Sequence, residues 1–134
     1  MSYKIGYDLS SYLPVVSHTG LVLADNTVAP TGIPQLAWLI SANQAVSMLY
    51  TIRRGALPEV ECGLLTLVIR ENGAAEYICE VIATQTTPTP PATNTTGVAF
   101  STGVSFSSAI IKYTTTSTGS NATLDVIVLK VWAK

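Results

Sequence analysis

The chain carries very little charge for its size. Asp, Glu, Lys and Arg make up 11% of its 134 residues, and the net charge is -1. A typical soluble domain has about 25% of these residues. A near-neutral chain of this kind has no electrostatic footprint for nucleic acid or for an anionic membrane. Apolar residues reach 48%, but no uncharged apolar run approaches the ~20 residues of a membrane-spanning helix. We therefore expect neither nucleic acid nor membrane as a partner.

Residue types that perform catalysis or bind metals are also scarce. The chain has one histidine, His18, and two cysteines, Cys62 and Cys79. A zinc site needs three or four Cys, His or carboxylate ligands, and no glycine-rich nucleotide motif or hydrolase serine motif is present. His18 is interpreted as a solvated residue, and Glu59 and Glu61 as solvated charges at strand ends. We expect no enzyme activity, no catalytic or metal-binding residues and no cofactor.

The polarity of the chain comes from hydroxyl and amide side chains instead of charge. A surface rich in Thr, Ser, Asn and Gln is desolvated against another protein at lower cost than one covered in Lys and Glu. The composition thus favours a subunit of an assembly over a neutral extracellular-type domain. The first residues lack the apolar core of a signal peptide, which predicts folding in a cytoplasm.

The spacing of turn residues predicts an all-β fold, an antiparallel β-sandwich that resembles a jelly roll. Residues 1–33 contain Pro and Gly among short apolar pieces and are interpreted as an extended N-terminal arm with one or two short strands. Residues 34–134 are interpreted as the sandwich domain. Within it, residues 85–96 form a Thr/Pro loop whose prolines predict an exposed, extended excursion. The predicted strands are 36–41, 44–53, 62–70, 75–83, 98–106, 109–115 and a last strand from Ala122.

The central hairpin is predicted around the Asn72-Gly73 pair, because Asn-Gly between two β-rich runs is a strong signal for a two-residue turn. In that register Val68 faces Tyr77 and Cys62 faces Ala83. The side of the hairpin that holds these pairs is nearly all apolar, so we expect it to be core. Both cysteines then lie on the core face but four positions out of step, which predicts two buried thiols without a disulfide.

The last strand is apolar on both faces near its middle. One face carries Leu124, Val126, Val128 and Trp132, interrupted by Lys130; the other carries Ile127, Leu129 and Val131, interrupted by Asp125. One face of an antiparallel sheet usually meets water. A strand that is apolar on both sides has to be covered by the arm or by another subunit, and we expect a contribution from both.

Aromatic residues in the arm suit docking onto a neighbouring surface, because their rings are apolar and their tips polar. A carbohydrate-binding platform around Trp38 is the alternative that the aromatics leave open. Adding the second faces of the hairpin and of the last strand gives the predicted interface residues: Tyr3, Tyr7, Tyr12, Leu65, Leu67, Ile127 and Leu129.

Residues 46–132 also contain an ordered series of short stretches. They are MLYTIRRG (48–55), GLLTL (63–67), GVAF (97–100), VSFS (104–107), IKYTTTSTG (111–119) and ATL (122–124). In this order and spacing the series resembles β-sandwich domains of tailed-bacteriophage virion proteins, as in head decoration (cement) proteins and in head or tail fibres.

The resemblance implies a structural protein of the virion that sits on the capsid surface. Its partners would be copies of itself, as a homotrimer, and the lattice of the major capsid protein. Two alternatives stay open: a fibre or tail subunit of a phage, and a carbohydrate-binding or receptor-binding module.

Overall fold

The computed structural model describes residues 16–56, 59–72, 76–86 and 96–134, with the backbone alone for 71–72 and 76–86. Strands make up most of this part of the chain. They are β1 (Ser17–Leu23), β2 (Thr31–Leu39), β3 (Asn43–Arg54), β4 (Glu59–Asn72), β5 (Glu76–Thr86), β6 (Val98–Ser105), β7 (Ser108–Thr115) and β8 (Ala122–Ala133). Across these ranges, no helix is long and apolar enough to cross a membrane.

The strands form two antiparallel sheets, which confirms the predicted all-β sandwich. The five-stranded sheet has the order β1-β8-β3-β4-β5, and the three-stranded sheet has the order β2-β7-β6. The series β8-β3-β4-β5 is a Greek key, since β3, β4 and β5 follow one another and β8 returns to lie beside β3. The long connection of this Greek key passes through β6 and β7 of the other sheet.

The core lies between the two sheets and is built from alternate residues of each strand. β7 is the simplest case, because Ala109, Ile111, Tyr113 and Thr115 are buried while the residues between them are partly exposed. This is the period of two that a strand with one buried face requires. Inner rows of the same kind come from β3 (Val46, Met48, Tyr50, Ile52), β4 (Leu65, Leu67, Ile69) and β8 (Ala122, Leu124, Val126, Val128).

The β4–β5 hairpin corrects both the register and the face predicted from the sequence. The register pairs Val68 with Glu80 and Asn72 with Glu76, so the predicted two-residue turn is wrong and three residues, 73–75, connect the strands. The predicted core face is also wrong, because Leu65 and Leu67 are fully buried whereas Leu64 is exposed. Both faces of β4 are apolar, so the alternation alone did not identify the inner one.

The two cysteines follow from this correction. Cys62 was predicted to be buried, but it is exposed. The side chain of Cys79 lies outside the described residues. Cys79 pairs with Ile69 in the register, seven residues along β4 from Cys62. Seven residues of strand span about 23 Å, and Cα atoms more than about 7 Å apart cannot be bridged without moving the backbone. The predicted absence of a disulfide between them agrees with this register.

A β-bulge in β8 changes the faces of the last strand. Met48 pairs with Val128 but the preceding Ser47 pairs with Lys130, so Leu129 is an extra residue on β8. Beyond the bulge Trp132 lies opposite Ala45, on the outer face. The prediction that Trp132 shares the face of Leu124 is therefore wrong. The extra residue places Lys130 on the outer face. In the core, its unpaired ammonium group would lower the stability of the fold.

The segment predicted as an arm contains strands of the sandwich. β1 pairs with β8 along the edge of the five-stranded sheet, and β2 begins at Thr31. Residues 1–15 lie outside the described residues, so the arm itself stays a prediction. Residues 87–95 of the predicted Thr/Pro loop also lie outside them. The last residue of that loop, Thr96, is buried and contradicts the prediction of a wholly exposed excursion.

Candidate functional site

The outer face of the five-stranded sheet carries a continuous row of exposed apolar side chains. Leu49 on β3 lies directly opposite Leu64 on β4 and Ile127 on β8. These three side chains are 45%, 40% and 41% exposed, and Leu129 above them is 51% exposed. Directly opposite residues in a sheet have Cβ atoms about 5 Å apart. We call Leu49, Leu64, Ile127 and Leu129 the outer patch.

Polar groups surround the outer patch on two sides. Below it, Arg53 forms an ion pair with Asp125, and the other oxygen of that carboxylate accepts a hydrogen bond from Gly20 N at 2.8 Å. Above it, the ammonium group of Lys130 lies 5.4 Å from the ring centre of Trp132. An apolar centre with a charged or polar rim is the usual anatomy of a protein–protein interface.

A groove runs along the lower side of the outer patch. Its volume is about 370 Å³, and Leu49 and Ile127 form its apolar walls. The rest of the lining comes from Tyr50, Thr51, Cys62, Gly63 and Asp125. The groove exists because Thr51 lies opposite Cys62 and Asp125. These three short side chains form a row next to the longer side chains of Leu49, Leu64 and Ile127, and the difference in length leaves a depression.

The structure separates the predicted interface residues into three groups. Ile127 and Leu129 are exposed in the outer patch, so the structure brings these two together. Leu65 and Leu67 are fully buried in the core and cannot line an interface in this fold, so their assignment is wrong. Leu49 and Leu64 are exposed in their place, and neither was predicted from the sequence. Tyr3, Tyr7 and Tyr12 lie outside the described residues.

A second polar cluster joins the loops at the opposite end of the sandwich from the β6–β7 turn. The guanidinium of Arg54, at the end of β3, is only 4% exposed. It donates to the carbonyl oxygens of Thr96 (2.7 Å), Thr116 (2.7 Å) and Ser120 (2.8 Å). It also forms an ion pair with Asp25. One side chain thereby satisfies carbonyl groups from the segment before β6 and the β7–β8 connection, and a carboxylate from the β1–β2 connection.

Glu61 belongs to the same end of the sandwich and corrects another prediction. Its side chain is 1% exposed, whereas the sequence analysis interpreted it as solvated. Its two carboxylate oxygens accept hydrogen bonds from the Tyr50 hydroxyl at 3.1 Å and from the Thr96 hydroxyl at 2.8 Å. A buried carboxylate is tolerated when hydrogen bonds of this kind satisfy it. We interpret this cluster as a structural clamp and not as a reactive site.

Asp25 is the group in this cluster whose ionisation the fold changes most clearly. Its carboxylate accepts hydrogen bonds from the backbone N–H groups of Thr118 (2.9 Å) and Gly119 (3.1 Å). The Thr118 N–H has the largest effect on the pKa of Asp25 and lowers it below the ordinary value of 3.8. Desolvation has the second-largest effect and opposes it, while Gly119 and Arg54 lower the pKa further. Hydrogen bonds to a carboxylate favour its charged form.

This lowered pKa predicts a loss of stability in acid that depends on Asp25. The stabilising contribution is complete at pH values above 3.8, the ordinary value, and disappears as the pH falls through the lowered pKa of the folded state. We expect the free energy of unfolding, measured by urea denaturation over a pH series, to fall more steeply below that value in the wild type than in Asp25→Asn. Equal slopes in the two proteins would contradict the assignment.

The remaining candidates from the sequence do not form a reactive site. His18 is half-buried in β1 beside Val126, and Trp38 is half-buried and packs against the core. Over the described residues, no group of three or more His, Cys, Asp or Glu side chains could hold a metal ion. The geometry that stands out is the outer patch, and its chemistry is that of a surface that packs against another apolar surface.

Comparison with known proteins adds little to this description. No protein-family model matches the sequence, and no curated protein matches it. Among solved structures, the chain is similar to the tailspike protein of Acinetobacter phage vB_ApiP_P1, with a TM-score of 0.49 and 15% sequence identity. The similarity covers 100% of this chain and 23% of the tailspike chain. Similarity at this level supports no statement about function, which has to be argued from the residues of the chain itself.

Proposed function

We propose that this protein is a structural component of a bacteriophage virion, a homotrimer that decorates and reinforces the capsid. The observation that carries the proposal is the outer patch, because Leu49, Leu64 and Ile127 form one exposed row across three strands. Exposed apolar patches bordered by polar residues mark surfaces that other proteins cover. We assign the outer patch to contacts between copies of the chain.

Two properties of the sequence support the viral part of the proposal. The series of stretches within residues 46–132 resembles virion β-sandwich domains, and 11% of the residues are charged. Copies with a net charge of -1 repel one another little, so many of them can sit close together on one particle. The chain then works by binding and assembly instead of catalysis.

Reinforcement of a capsid needs no chemistry beyond selective binding. A protein that binds the assembled lattice, and not the free capsid subunit, stabilises the lattice by mass action. A trimer adds avidity, because its three copies bind neighbouring capsid subunits at a high effective concentration once the first is bound. On this proposal the protein is located on the capsid surface of the virion.

The direct test is the solution mass of the purified protein by light scattering, with and without empty capsids of the phage that encodes it. We expect a trimer that co-sediments with capsids. A monomer that ignores capsids would remove the proposal. A trimer that binds host cells or glycans and not capsids would favour the fibre, tail or receptor-binding alternatives.

Substitution in the outer patch tests the surface itself. Leu129→Asp is expected to convert the trimer to a monomer, because an aspartate within a buried apolar contact would be desolvated without a partner. The folded β content, measured by circular dichroism, should not change, since Leu129 is exposed. Val28→Asp is the matched control, because Val28 is more exposed and lies in the β1–β2 connection. An unchanged trimer in Leu129→Asp would show that the patch lies outside the contact.

A further inference from the structure

The turn between β6 and β7 places a phenylalanine where the backbone disfavours it. Ser105 pairs with Ser108, so Phe106 and Ser107 form a two-residue turn. Phe106 has a φ of 55°, in the left-handed region that Gly, Asn and Asp adopt most readily. Its ring is fully exposed to solvent. The backbone conformation lowers the stability of an isolated chain, and the hydrated ring contributes no stability in return.

Two further apolar side chains lie at the same end of the three-stranded sheet. Leu39, at the end of β2, and Val104, near the end of β6, are each about half exposed. The Ile40 N–H donates to the Ser107 carbonyl at 2.9 Å, which ties the turn to the end of β2. Residues 103–109 include no charged residue. We call Phe106, Val104 and Leu39 the apolar tip.

Backbone strain and an exposed aromatic ring at one position point to an interaction. Strained residues persist where the surrounding structure holds them, and they cluster at functional sites. Phe106 contributes nothing to the core, so its ring can stabilise the protein only when another surface covers it. An exposed aromatic side chain buries about 150–250 Å² when it is covered completely, which makes it a strong anchor for an interface.

The same molecule offers a surface that suits this anchor. The groove beside the outer patch has a volume of about 370 Å³ and apolar walls formed by Leu49 and Ile127. Among the described residues, Asp125 is the acidic residue that lines the groove, and it is already paired with Arg53. A ring that enters the groove would therefore leave no unpaired charge behind. The three tip residues carry no charge, and the ammonium group of Lys112 lies beside Gly103 at the base of the tip. The apolar tip and the apolar walls of the groove therefore match in chemistry.

The tip cannot reach the groove of its own chain. The tip lies at the end of the three-stranded sheet, and the groove lies on the outer face of the five-stranded sheet, with the core between the two sheets. We propose that the apolar tip of one copy packs into the groove of a second copy. This inference rests on the homotrimer proposed above and states which surfaces hold it together.

A tip-in-groove contact is heterologous, since each copy contributes a different surface to it. Contacts of this kind form a ring when the rotation between copies closes. One tip buries far less than the roughly 800 Å² per partner of a standard interface, so a single contact is weak. In a closed ring of three, every copy uses its tip and its groove, and the contacts reinforce one another.

Replacement of the anchor is the first test. Phe106→Asn removes the ring and supplies a residue that accepts positive φ. The solution mass is expected to fall threefold, from trimer to monomer, while the thermal midpoint stays the same or rises. The control is Val28→Asn, because Val28 is an exposed apolar residue at the opposite end of the sandwich; its mass and midpoint should match the wild type.

Cross-linking tests the geometry with Phe106 still in place. Cys62 lines the groove and is exposed, and Ser107 is the exposed neighbour of Phe106. In Ser107→Cys treated with a mild oxidant, we expect an intermolecular disulfide between position 107 and Cys62, identified by mass spectrometry of the linked peptides. Each copy would be linked at both surfaces, so a non-reducing gel should show a covalent trimer. Val28→Cys, the control, should give no link to Cys62.

The outcomes separate this inference from the proposed function. A Phe106→Asn protein that stays trimeric, while Leu129→Asp is monomeric, would overturn the tip-in-groove contact and leave the trimer standing. Links at position 107 that join only two copies of that position would also overturn it. A wild-type monomer that ignores capsids would instead remove the proposed function. Binding of the wild type, but not Phe106→Asn, to phosphatidylcholine vesicles with no change in mass would assign the tip to a lipid surface and overturn the inference.

Discussion

Replacement of Arg54 by methionine is expected to lower the free energy of unfolding by about 3–5 kcal/mol, because each buried carbonyl oxygen that loses its hydrogen bond costs about 1–3 kcal/mol. The guanidinium satisfies the carbonyl oxygens of Thr96, Thr116 and Ser120 and pairs with Asp25. Methionine fills much of the same space but donates no hydrogen bond. Three carbonyl groups would lose the guanidinium donor in a region with little access to water, whereas the Asp25 carboxylate would keep its hydrogen bonds from Thr118 and Gly119.

The neighbouring residue provides the control. Arg53→Met removes an ion pair with Asp125, but the Arg53 side chain is 49% exposed, and exposed pairs contribute about 0–1 kcal/mol. Guanidinium chloride unfolding of both variants at two protein concentrations would separate folding from assembly. If Arg54→Met costs no more than Arg53→Met, the cluster does not clamp the loops.

The second large effect is expected at the corrected face of β4. Leu65→Ala should lower the free energy of unfolding by about 2–5 kcal/mol, the range for removing a leucine side chain from a close-packed core. Leu65 is fully buried and lies opposite Met48, another fully buried residue. The loss should appear in the midpoint of chemical denaturation without a change in the slope, because the same surface unfolds.

Leu64→Ala, one position away, is the matched control for the face. Leu64 lies in the outer patch, so the free energy of unfolding measured in dilute solution should change by less than about 0.5 kcal/mol. The same substitution should weaken the trimer, because it removes part of the exposed row. The opposite result, a large loss of stability for Leu64→Ala and a small one for Leu65→Ala, would restore the face predicted from the sequence.

The sequence was sufficient for the fold class and for most strands. Turn residues and alternation located β3, β6 and β7 to within one residue at each end, because each has one apolar and one polar face. β1 was not located, since its seven residues contain Gly20 and a shift in register between His18 and Leu21. Bulges of this kind interrupt the period of two that sequence reasoning depends on.

The predictions for the core face of the hairpin and for the faces at the end of β8 were wrong for a different reason. Leu64 and Val68 make one face of β4 apolar, and Leu65 and Leu67 make the other face apolar. The alternation of residues therefore does not indicate which of the two faces is buried. In β8, a single extra residue, Leu129, reverses the faces of all residues after it. Such a choice is made by packing against the opposite sheet, which the local sequence does not specify.

The candidate site was predicted in part. Ile127 and Leu129 were placed on the outer face because they are out of phase with the buried row of β8. The clamp around Arg54 was not predicted, although the sequence contains an indication of it. Alternation places Arg54 on the same face of its strand as Tyr50 and Ile52, and Glu61 on the same face as Leu65. A charge in phase with a buried row indicates a buried polar cluster. Its partner Asp25 is 29 residues from Arg54 along the chain, a separation at which the sequence gives no indication of pairing.

The position of β8 between β1 and β3 has a consequence for the synthesis of the protein. Gly20 and Asp125, which form a hydrogen bond across β1 and β8, are 105 residues apart in the chain. At about 5–20 residues per second, a ribosome makes β8 about 5–20 s after β1. Throughout that interval the nascent chain holds two strands whose shared neighbour does not yet exist. The five-stranded sheet is therefore completed only after β8 has been made, and removal of β8 would leave both strands with open edges prone to aggregation.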